Sequence, residues 1–290
     1  MNLQNYLKKS LMYDPVYSAP ELSDQITEQA FNTSSLLAEM GQEIADNPSY
    51  RNVFVRHPSI SRVIEGDDIP SSTVQTYHTT ESDFTKIASK IEFTNEVLTQ
   101  SKFDIEENTS MLVGNVAANE IATLVVENLQ TRQTQTPITD PNQMGYGEDI
   151  LKVKTGTAPG VGWGDVGQTY ELLAEAVKNI ADVYDGNSKL FLNKNNFTTF
   201  VASVTDQFEQ VWLIQGGQLF GRYDVVICDQ LDDNTMYFGD MQAAFDVVSL
   251  QGNQTVDPVT VPNLLKITQS NKYATVAKDA SALVALVQEV

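Results

Sequence analysis

Residues 104–129 read DIEENTSMLVGNVAANEIATLVVENL and carry the strongest helical pattern in the chain. Asp104 stands where a helix N-cap is favoured, and Glu106 and Glu107 stand in the first turn, where the helix dipole stabilises negative charge. The apolar stripe consists of Ile105, Leu112, Val113, Val116, Ala117, Ile121, Leu124 and Val125. At 1.5 Å per residue the predicted helix is about 40 Å long, long enough to serve as the spine of the protein.

A segment poor in core residues lies upstream of this helix. Residues 61–85 read SRVIEGDDIPSSTVQTYHTTESDFT, in which Gly66, Asp67 and Asp68 followed by Pro70 indicate a turn. Polar and apolar side chains alternate at 73–77, which is typical of an exposed strand. We therefore predict a projecting β-hairpin over about 60–88, with a strand at 86–93 that returns to the body. An isolated hairpin is marginal in water, so it is expected to lie on a neighbouring subunit.

The N-terminal region shows no apolar pattern that would let it form its own core. Residues 1–20 carry several aromatic and apolar side chains, but Pro15 and Pro20 interrupt them and no regular period holds. This composition predicts an arm that buries its rings on a partner surface. Apolar residues then recur at helical spacing, which predicts a helix over 21–46 that ends at Asn47 and Pro48.

Downstream of the spine helix the pattern is mixed. A loop-rich stretch covers 130–168, and apolar spacing predicts helices at 169–183 and 195–204. Strands are predicted at 53–55, 189–192, 223–228, 235–238 and 243–251, of which 223–228 has the character of a buried strand. Residues 264–267 and 273–287 are apolar and rich in small residues. The fold class is therefore α+β, with an arm and a hairpin that both require partners.

Composition excludes several classes of protein. The chain has 290 residues, 41% of them hydrophobic, and a formal net charge of −20, so it can bury a core but repels phosphate backbones. This charge fits ordinary solubility, and it also fits a wall to which packaged DNA must not adhere. The single cysteine, Cys228, allows no internal disulfide and is expected to be buried. The sequence shows neither a secretory signal nor a stretch approaching the roughly 20 apolar residues of a membrane span.

Motifs for catalysis or cofactor binding are weak or missing. There is no P-loop and no G-x-S-x-G elbow. Residues 162–167 match G-x-G-x-x-G, but no apolar run leads directly into them and Trp163 is bulky where a pyrophosphate must approach, so a loop before a helix is the favoured interpretation. His57 and His78 are most simply surface histidines. The acidic residues Asp229, Asp232, Asp233 and Asp240 lack calcium-loop spacing and fit a solvated turn better than a cation site. We predict no catalytic residue, no cofactor and no metal.

The order of parts resembles the HK97-like major capsid proteins of tailed bacterial and archaeal viruses. Four strings carry the resemblance: TVQTYHTTESDFTKIASKIEFTNEVLTQS before the spine helix, KLFLNKNNFTTFVASVTDQ, LFGRYDVVICDQL with MYFGDMQAAFDVV, and LLKITQSNKYATVAKDASALV. The resemblance implies an N-terminal arm and helix at 1–50 and a first part of the P-domain at 51–167, with the E-loop at about 60–88 and the spine helix at about 104–129. It further implies an A-domain at 168–250 and a return to the P-domain at 251–290.

The implied function is a shell subunit that self-assembles through pentamers and hexamers into an icosahedral virion capsid around double-stranded DNA. Some relatives join subunits by a lysine–asparagine bond with the lysine on the E-loop, but residues 62–85 contain no lysine, so no cross-link is expected. A separate scaffold, a portal and decoration proteins are possible further partners, and assembly is expected in the host cytoplasm. The residues expected to contact other subunits are Tyr6, Leu11, Tyr13, Tyr17, Ile69, Val74 and Tyr77.

Three alternatives stay open on the sequence. An encapsulin-like nanocompartment shares the fold and encloses enzymes, and particle size in electron microscopy separates it from a viral shell. A nucleotide-binding enzyme would use residues 162–167 and would be stabilised thermally by nucleotides. An acidic adhesin or tail component would purify as a small oligomer.

Overall fold

The structure is a computed structural model that describes residues 28–47, 51–54, 78–81, 83–94, 105–138, 147–154, 166–202, 213–250, 254–257 and 264–288. None of the helices in these ranges is both long enough and apolar enough to span a bilayer.

Helices occur at most of the predicted positions. Besides a helical segment at 28–33, the described residues form α1 Ile105–Thr131, α2 Val166–Asn179, α3 Asp182–Asp185, α4 Lys194–Ala202 and α5 Met241–Ala244. The spine helix is confirmed as α1, although its predicted cap Asp104 lies outside the described residues. The helix predicted at 169–183 is divided, because α2 ends at Asn179 and α3 is a separate turn.

The strands form three sheets. In chain order they are β1 Gly41–Ala45, β2 Arg51–Phe54, β3 His78–Glu81, β4 Thr85–Thr94, β5 Gln133–Thr134, β6 Ile150–Lys154, β7 Lys189–Leu192, β8 Ile214–Gln215, β9 Gln218–Leu219, β10 Tyr223–Ile227, β11 Thr235–Gly239, β12 Phe245–Leu250, β13 Gln254–Asp257, β14 Leu264–Ala277 and β15 Leu283–Val287.

The first sheet is organised around β14, which has 14 residues. Its strand order is β1-β12-β14-β13, and β4 also pairs with β14. Lys272 and Tyr273 pair with both β4 and β12, so these two strands lie at opposite edges of β14. Most pairs are antiparallel, whereas β1 runs parallel to β12, with Gly41 opposite Asp246.

The second sheet has eight strands in the order β5-β6-β15-β11-β7-β10-β9-β8. Its middle strands are buried on both faces, as expected for strands covered on both sides. Successive residues of β11 point to opposite faces, so Tyr237 packs in one hydrophobic core while Met236 and Phe238 pack in another. At the end of β11, Gly239 has a φ of +144°, and a Cβ there would lie 2.1 Å from the carbonyl oxygen of Ala282. Only glycine fits this close approach.

One core joins the two large sheets. Side chains from the second half of α1 share one hydrophobic core with Tyr237 and Leu283 of the eight-stranded sheet and with Val247 and Tyr273 of the five-stranded sheet. The chain also passes repeatedly between the sheets: β6 and β15 belong to the eight-stranded sheet, and β12 to the other. The assignment of strands to the two sheets therefore does not follow the domain divisions predicted at 168 and 250. Because the two sheets share one core, the core does not indicate another domain boundary. The domain limits stay a prediction.

The helix predicted over 21–46 is wrong beyond residue 33. A 3-10 turn covers Leu37–Glu39 and β1 follows directly. The apolar spacing was real at Leu37 and Met40, which are buried, but Ile44 is 67% exposed. The parallel pairing of β1 with β12 overrides the local pattern, and helical periodicity cannot reveal a partner strand 200 residues away.

Of the hairpin predicted over about 60–88, residues 60–77 lie outside the described residues. The described strands β2 and β3, on either side of 55–77, pair antiparallel, with Phe54 opposite His78. The returning strand predicted at 86–93 is confirmed as β4. The strand predicted at 223–228 is confirmed as β10 but is only partly buried, because Ile227 and Asp224 are exposed.

Candidate assembly surfaces

The residues predicted to contact other subunits all lie outside the described residues: Tyr6, Leu11, Tyr13, Tyr17, Ile69, Val74 and Tyr77. The described residues next to these two segments are 28–33, which follow the predicted arm, and β2 and β3, which pair with each other on either side of residues 55–77.

Residues 28–40 are fixed to the core, to α1 and to β7. Phe31 and Leu36 are buried in the core beneath α1. Thr33 Oγ1 donates a hydrogen bond to Asn115 Oδ1 of α1 at 3.0 Å. Lys189 Nζ forms an ion pair with Glu39 Oε2 at 2.6 Å. Both groups are only partly exposed, so the pair fixes the turn before β1 more firmly than a fully solvated pair would.

An exposed apolar surface lies on α1 close to this attachment. Its members are Met111, Leu112 and Val116, which we call the α1 apolar surface. Asn115, the partner of Thr33, stands between them in sequence. Contiguous exposed apolar residues are unusual on a monomer and typical of interaction surfaces. The described residues that follow the predicted arm therefore lie beside exposed apolar side chains.

An ion pair beside β1 joins β12 to the residue that follows β14. Asp246 is buried, and its Oδ1 accepts a hydrogen bond from Lys278 Nζ at 2.9 Å. Burial raises the pKa of Asp246 above its ordinary value, while the bond to Lys278 and its charge act in the opposite direction and Glu43 adds to the rise. A Cβ at Gly41 would lie 1.8 Å from Asp246 Oδ1. Glycine at 41 thus lets β1 approach the pair.

The four acidic residues considered for a cation do not form one site. Asp229, Asp232 and Asp233 line an open cleft of about 430 Å³, whereas Asp240 caps α5 by accepting a hydrogen bond from the Ala243 amide at 3.0 Å. Asp233 accepts hydrogen bonds from the amides of Asn193 and Asn195. Across the described ranges no group of three or more His, Cys, Asp and Glu side chains could hold a metal ion.

A second cleft, of about 400 Å³, lies between α3 and β10. Two ion pairs line it, Lys189 with Glu39 and Arg222 with Asp185, and the Arg222 guanidinium lies 5.0 Å from the ring centroid of Tyr223. The Tyr223 hydroxyl donates to Asp185 Oδ1 at 2.6 Å. Burial and this bond raise the pKa of Tyr223. These contacts explain the cleft as a structural network.

The glycine-rich motif at 162–167 lies almost wholly outside the described residues. The structure shows β6 ending at Lys154 and α2 beginning at Val166. No described strand leads directly into the motif, which a dinucleotide site would require.

Sequence reasoning missed two features of the surface. It placed Leu112 and Val116 on the buried stripe of the spine helix, yet both are exposed. It also gave no sign of the contact between the exposed rings of Tyr170 and Phe220, whose centroids are 5.6 Å apart. Periodicity places residues on a face, and it cannot say which part of that face the subunit itself covers.

Comparison with known proteins gives a family match over most of the chain. The model of the phage capsid family matches residues 16–287. No curated protein matches the chain significantly.

Solved structures with the same fold are capsids and related particles. The capsid of a native GTA particle is 14% identical, with a TM-score of 0.69 over 100% of both chains. The procapsid of satellite phage P4 is 10% identical, with a TM-score of 0.63 over 99% of this chain and 96% of that one. A virus-like particle from Pyrococcus furiosus is 14% identical, with a TM-score of 0.58 over 92% and 98%. At such low identity these likenesses show the fold.

Proposed function

The chain belongs to the phage capsid family and is a structural subunit of a capsid shell, and from that premise we propose that its copies form an icosahedral virion around double-stranded DNA through pentamers and hexamers. The fold is the α+β, HK97-like fold that the order of hairpin, spine helix and sheets predicts. The role is structural, without catalysis, and assembly takes place in the host cytoplasm.

The observation that carries the proposal is the exposed α1 apolar surface, which could bury the aromatic side chains of a predicted arm from another subunit. The α1 apolar surface, Met111, Leu112 and Val116, is exposed beside Thr33, which follows the predicted arm in the sequence. The arm supplies Tyr6, Leu11, Tyr13 and Tyr17. Burial of apolar area contributes about 25 cal/mol per Å², so contacts between arms and neighbouring bodies favour assembly without covalent links.

The excursion between β2 and β3 supplies the second contact. Its base is a two-stranded sheet, and it carries Ile69, Val74 and Tyr77. We propose that it lies across an adjacent subunit, where its strands gain pairing partners and its apolar side chains are buried.

The acidic balance of the chain fits the inner wall of such a shell. With a net charge of −20, the subunit repels DNA phosphates, so packaged DNA is held by confinement and does not bind to the wall. A scaffold, a portal and decoration proteins would be further partners.

Deleting residues 1–20 tests the proposal. The deletion ends before residue 28, so the anchoring contacts of Phe31, Thr33 and Leu36 are kept. We expect folded, soluble subunits whose yield of particles falls at least about tenfold, because an interface loses its aromatic anchors. Particle yield is measured by sedimentation and electron microscopy, and folding by circular dichroism.

Two full-length variants provide the control. Replacement of Tyr6, Tyr13 and Tyr17 by serine should reproduce the defect, whereas replacement of Asn2, Gln4 and Asn5 by serine should not, since it removes no ring. Normal particle yield from both the deletion and the tyrosine variant would contradict the proposed role of the arm.

A further inference from the structure

The strand β4 forms one edge of the five-stranded sheet. Its 10 residues pair with β14, from Thr85 opposite Tyr273 to Thr94 opposite Leu264. Among the described strands, only β14 pairs with it. The backbone groups of an edge strand that point away from the sheet are a template for a further strand. Within the described part of the chain, the outer edge of β4 is therefore open.

The two faces of β4 differ in character. Ile87 packs against the main core, and successive side chains of a strand point to opposite faces. Lys86, Ala88 and Lys90 therefore lie on the other face, and all three are exposed. The solvent face of this edge carries two lysines with a small side chain between them.

A pair of like charges lies on the same face. Lys86 stands directly opposite Lys272 of β14, and residues directly opposite each other on antiparallel strands share a face. Both lysines are exposed, and neither forms an ion pair with a residue of the described ranges. Like charges placed in this way destabilise a sheet. A carboxylate bound at Lys86 would relieve that repulsion.

The second lysine of the edge has a weak partner. Lys90 Nζ lies 2.6 Å from Glu92 Oε1, but the two side chains are 56% and 43% exposed. An ion pair so exposed contributes little to stability, because water and salt screen it. This pair therefore does not prevent Lys90 from binding a carboxylate of another molecule.

The two lysines select the kind of strand that the edge accepts. Lysines on an edge strand deter pairing with another copy of the same strand, because like charges are brought together. A strand with carboxylates opposite Lys86 and Lys90 would form ion pairs there while its backbone bonds to β4. Its two acidic residues must stand four positions apart, as the lysines do, with a side chain opposite Ala88 between them.

The segments of this chain outside the described ranges do not supply such a strand. The predicted arm over 1–20 has a single acidic residue. Residues 55–77 have three, Glu65, Asp67 and Asp68, clustered at the predicted turn. No segment outside the described ranges contains two acidic residues four positions apart. The acidic strand that fits the edge therefore belongs to a different protein.

We propose that the open edge of β4 binds an extended acidic segment of a different protein by strand addition, with carboxylates of that segment on Lys86 and Lys90. Backbone hydrogen bonds supply affinity in this mode of recognition, and side-chain contacts supply specificity. The net charge of −20 repels an acidic partner over most of the subunit, so the lysines also determine where such a partner binds. The inference goes beyond the proposed function, because it concerns a partner other than copies of the chain.

A synthetic peptide tests the edge on unassembled full-length subunits. The probe is a fluorescent peptide of alternating valine and threonine in which two threonines, four positions apart, are replaced by glutamate. We expect it to bind, as measured by fluorescence anisotropy, and to bind less tightly as salt is raised. Glutamine in place of both glutamates should weaken binding at least about tenfold. Proline at two neighbouring central positions should abolish binding, because it removes a donor to the ladder.

Charge reversal provides the matched variants. Lys86→Glu combined with Lys90→Glu should lose the glutamate peptide and should bind the same peptide with lysine in place of glutamate. Such a gain would also show that the double variant is folded. Lys178→Glu combined with Lys194→Glu changes two exposed lysines elsewhere and the net charge by the same amount, and it should bind the glutamate peptide like the wild type.

Hydrogen exchange locates the bound peptide, because strand addition should slow the exchange of amides in 85–94. The inference is overturned if no peptide binds, if the glutamine or proline peptide binds as tightly as the glutamate peptide, or if the control variant loses as much affinity. A peptide of residues 60–72 that bound as tightly would make a second copy the occupant, and equal competition by a single-stranded oligonucleotide would make the edge a general polyanion site. Either result would also overturn it. Since unassembled subunits are used, these outcomes do not depend on shell formation.

Discussion

The two halves of α1 differ in what covers them. The second half is covered by the subunit itself and contributes Ala118, Ile121, Ala122, Val125, Val126 and Leu129 to the main core. Its outer positions are polar, such as Glu120 and Glu127. The first half exposes Met111, Leu112 and Val116. One half of this helix therefore stabilises the fold of the subunit, whereas the other leaves apolar side chains exposed, which we propose to contact neighbouring copies.

The largest expected effect comes from two leucines on this helix. Leu129 is 0% exposed and Leu112 is 64% exposed. Leu129→Ala should lower the free energy of unfolding of the subunit by about 2–5 kcal/mol, because it leaves a cavity. Leu112→Ala should change it by less than about 0.5 kcal/mol but should lower particle yield. Denaturant unfolding of dilute subunits and sedimentation of assembled material measure the two effects.

Leu129→Ala and Leu112→Ala control for each other, because each removes the same atoms from a leucine of the same helix. If Leu112→Ala destabilised the subunit as much as Leu129→Ala, the first half of α1 would belong to the fold of the subunit. If it altered neither stability nor assembly, the α1 apolar surface would play no part in the shell.

Thiol labelling sharpens the comparison at a single side chain. Cys228 belongs to the core under the second half of α1, and burial raises its pKa to about 12. Because the thiolate is the reactive form, Cys228 should resist iodoacetamide in the native subunit and react after denaturation. Leu112→Cys should add a thiol that reacts rapidly in dilute subunits and slowly in particles, as mass spectrometry would show.

Protection that appears only on assembly would locate a neighbour on the first half of α1. Equally rapid labelling of Leu112→Cys before and after assembly would show that this surface stays open in the shell. Rapid labelling of native Cys228 would contradict the burial that distinguishes the second half.

Local sequence patterns predicted the elements whose character is local. The spine helix, β7 and β11 follow from apolar period and length, and the burial of Cys228 follows from its apolar neighbours. Two features depend on distant partners and could not be predicted. The parallel pairing of β1 needs β12, and the exposure of Leu112 depends on which surfaces the rest of the chain covers. Glycine 41 gave a weak signal, because glycine inside a predicted helix is unfavourable.

The smallest expected effect is a pH dependence of the free energy of unfolding that arises from Asp246 on β12. This strand also contributes Val247 to the core under the second half of α1. The pKa of Asp246 is raised in the folded state, chiefly by burial. The unfolded chain therefore loses this proton first as the pH rises, so the contribution of Asp246 to stability is fully present below its unfolded pKa and is lost as the pH rises through the folded value.

Asp246→Asn removes this titration, so the stability of the wild type relative to the variant should be greatest in acid and should fall toward neutral pH. Lys278 lowers the pKa of Asp246, so Lys278→Met should extend the fall to higher pH. Denaturant unfolding of dilute subunits across the acid range measures both slopes.

Parallel curves for the wild type and Asp246→Asn would mean that the folded protein does not perturb this carboxyl. The ion pair would then act only as a fixed contact between β12 and the end of β14. In that case Asp246 would make no pH-dependent contribution to the free energy of unfolding of the subunit. Any effect of pH on assembly would then have to come from exposed surfaces.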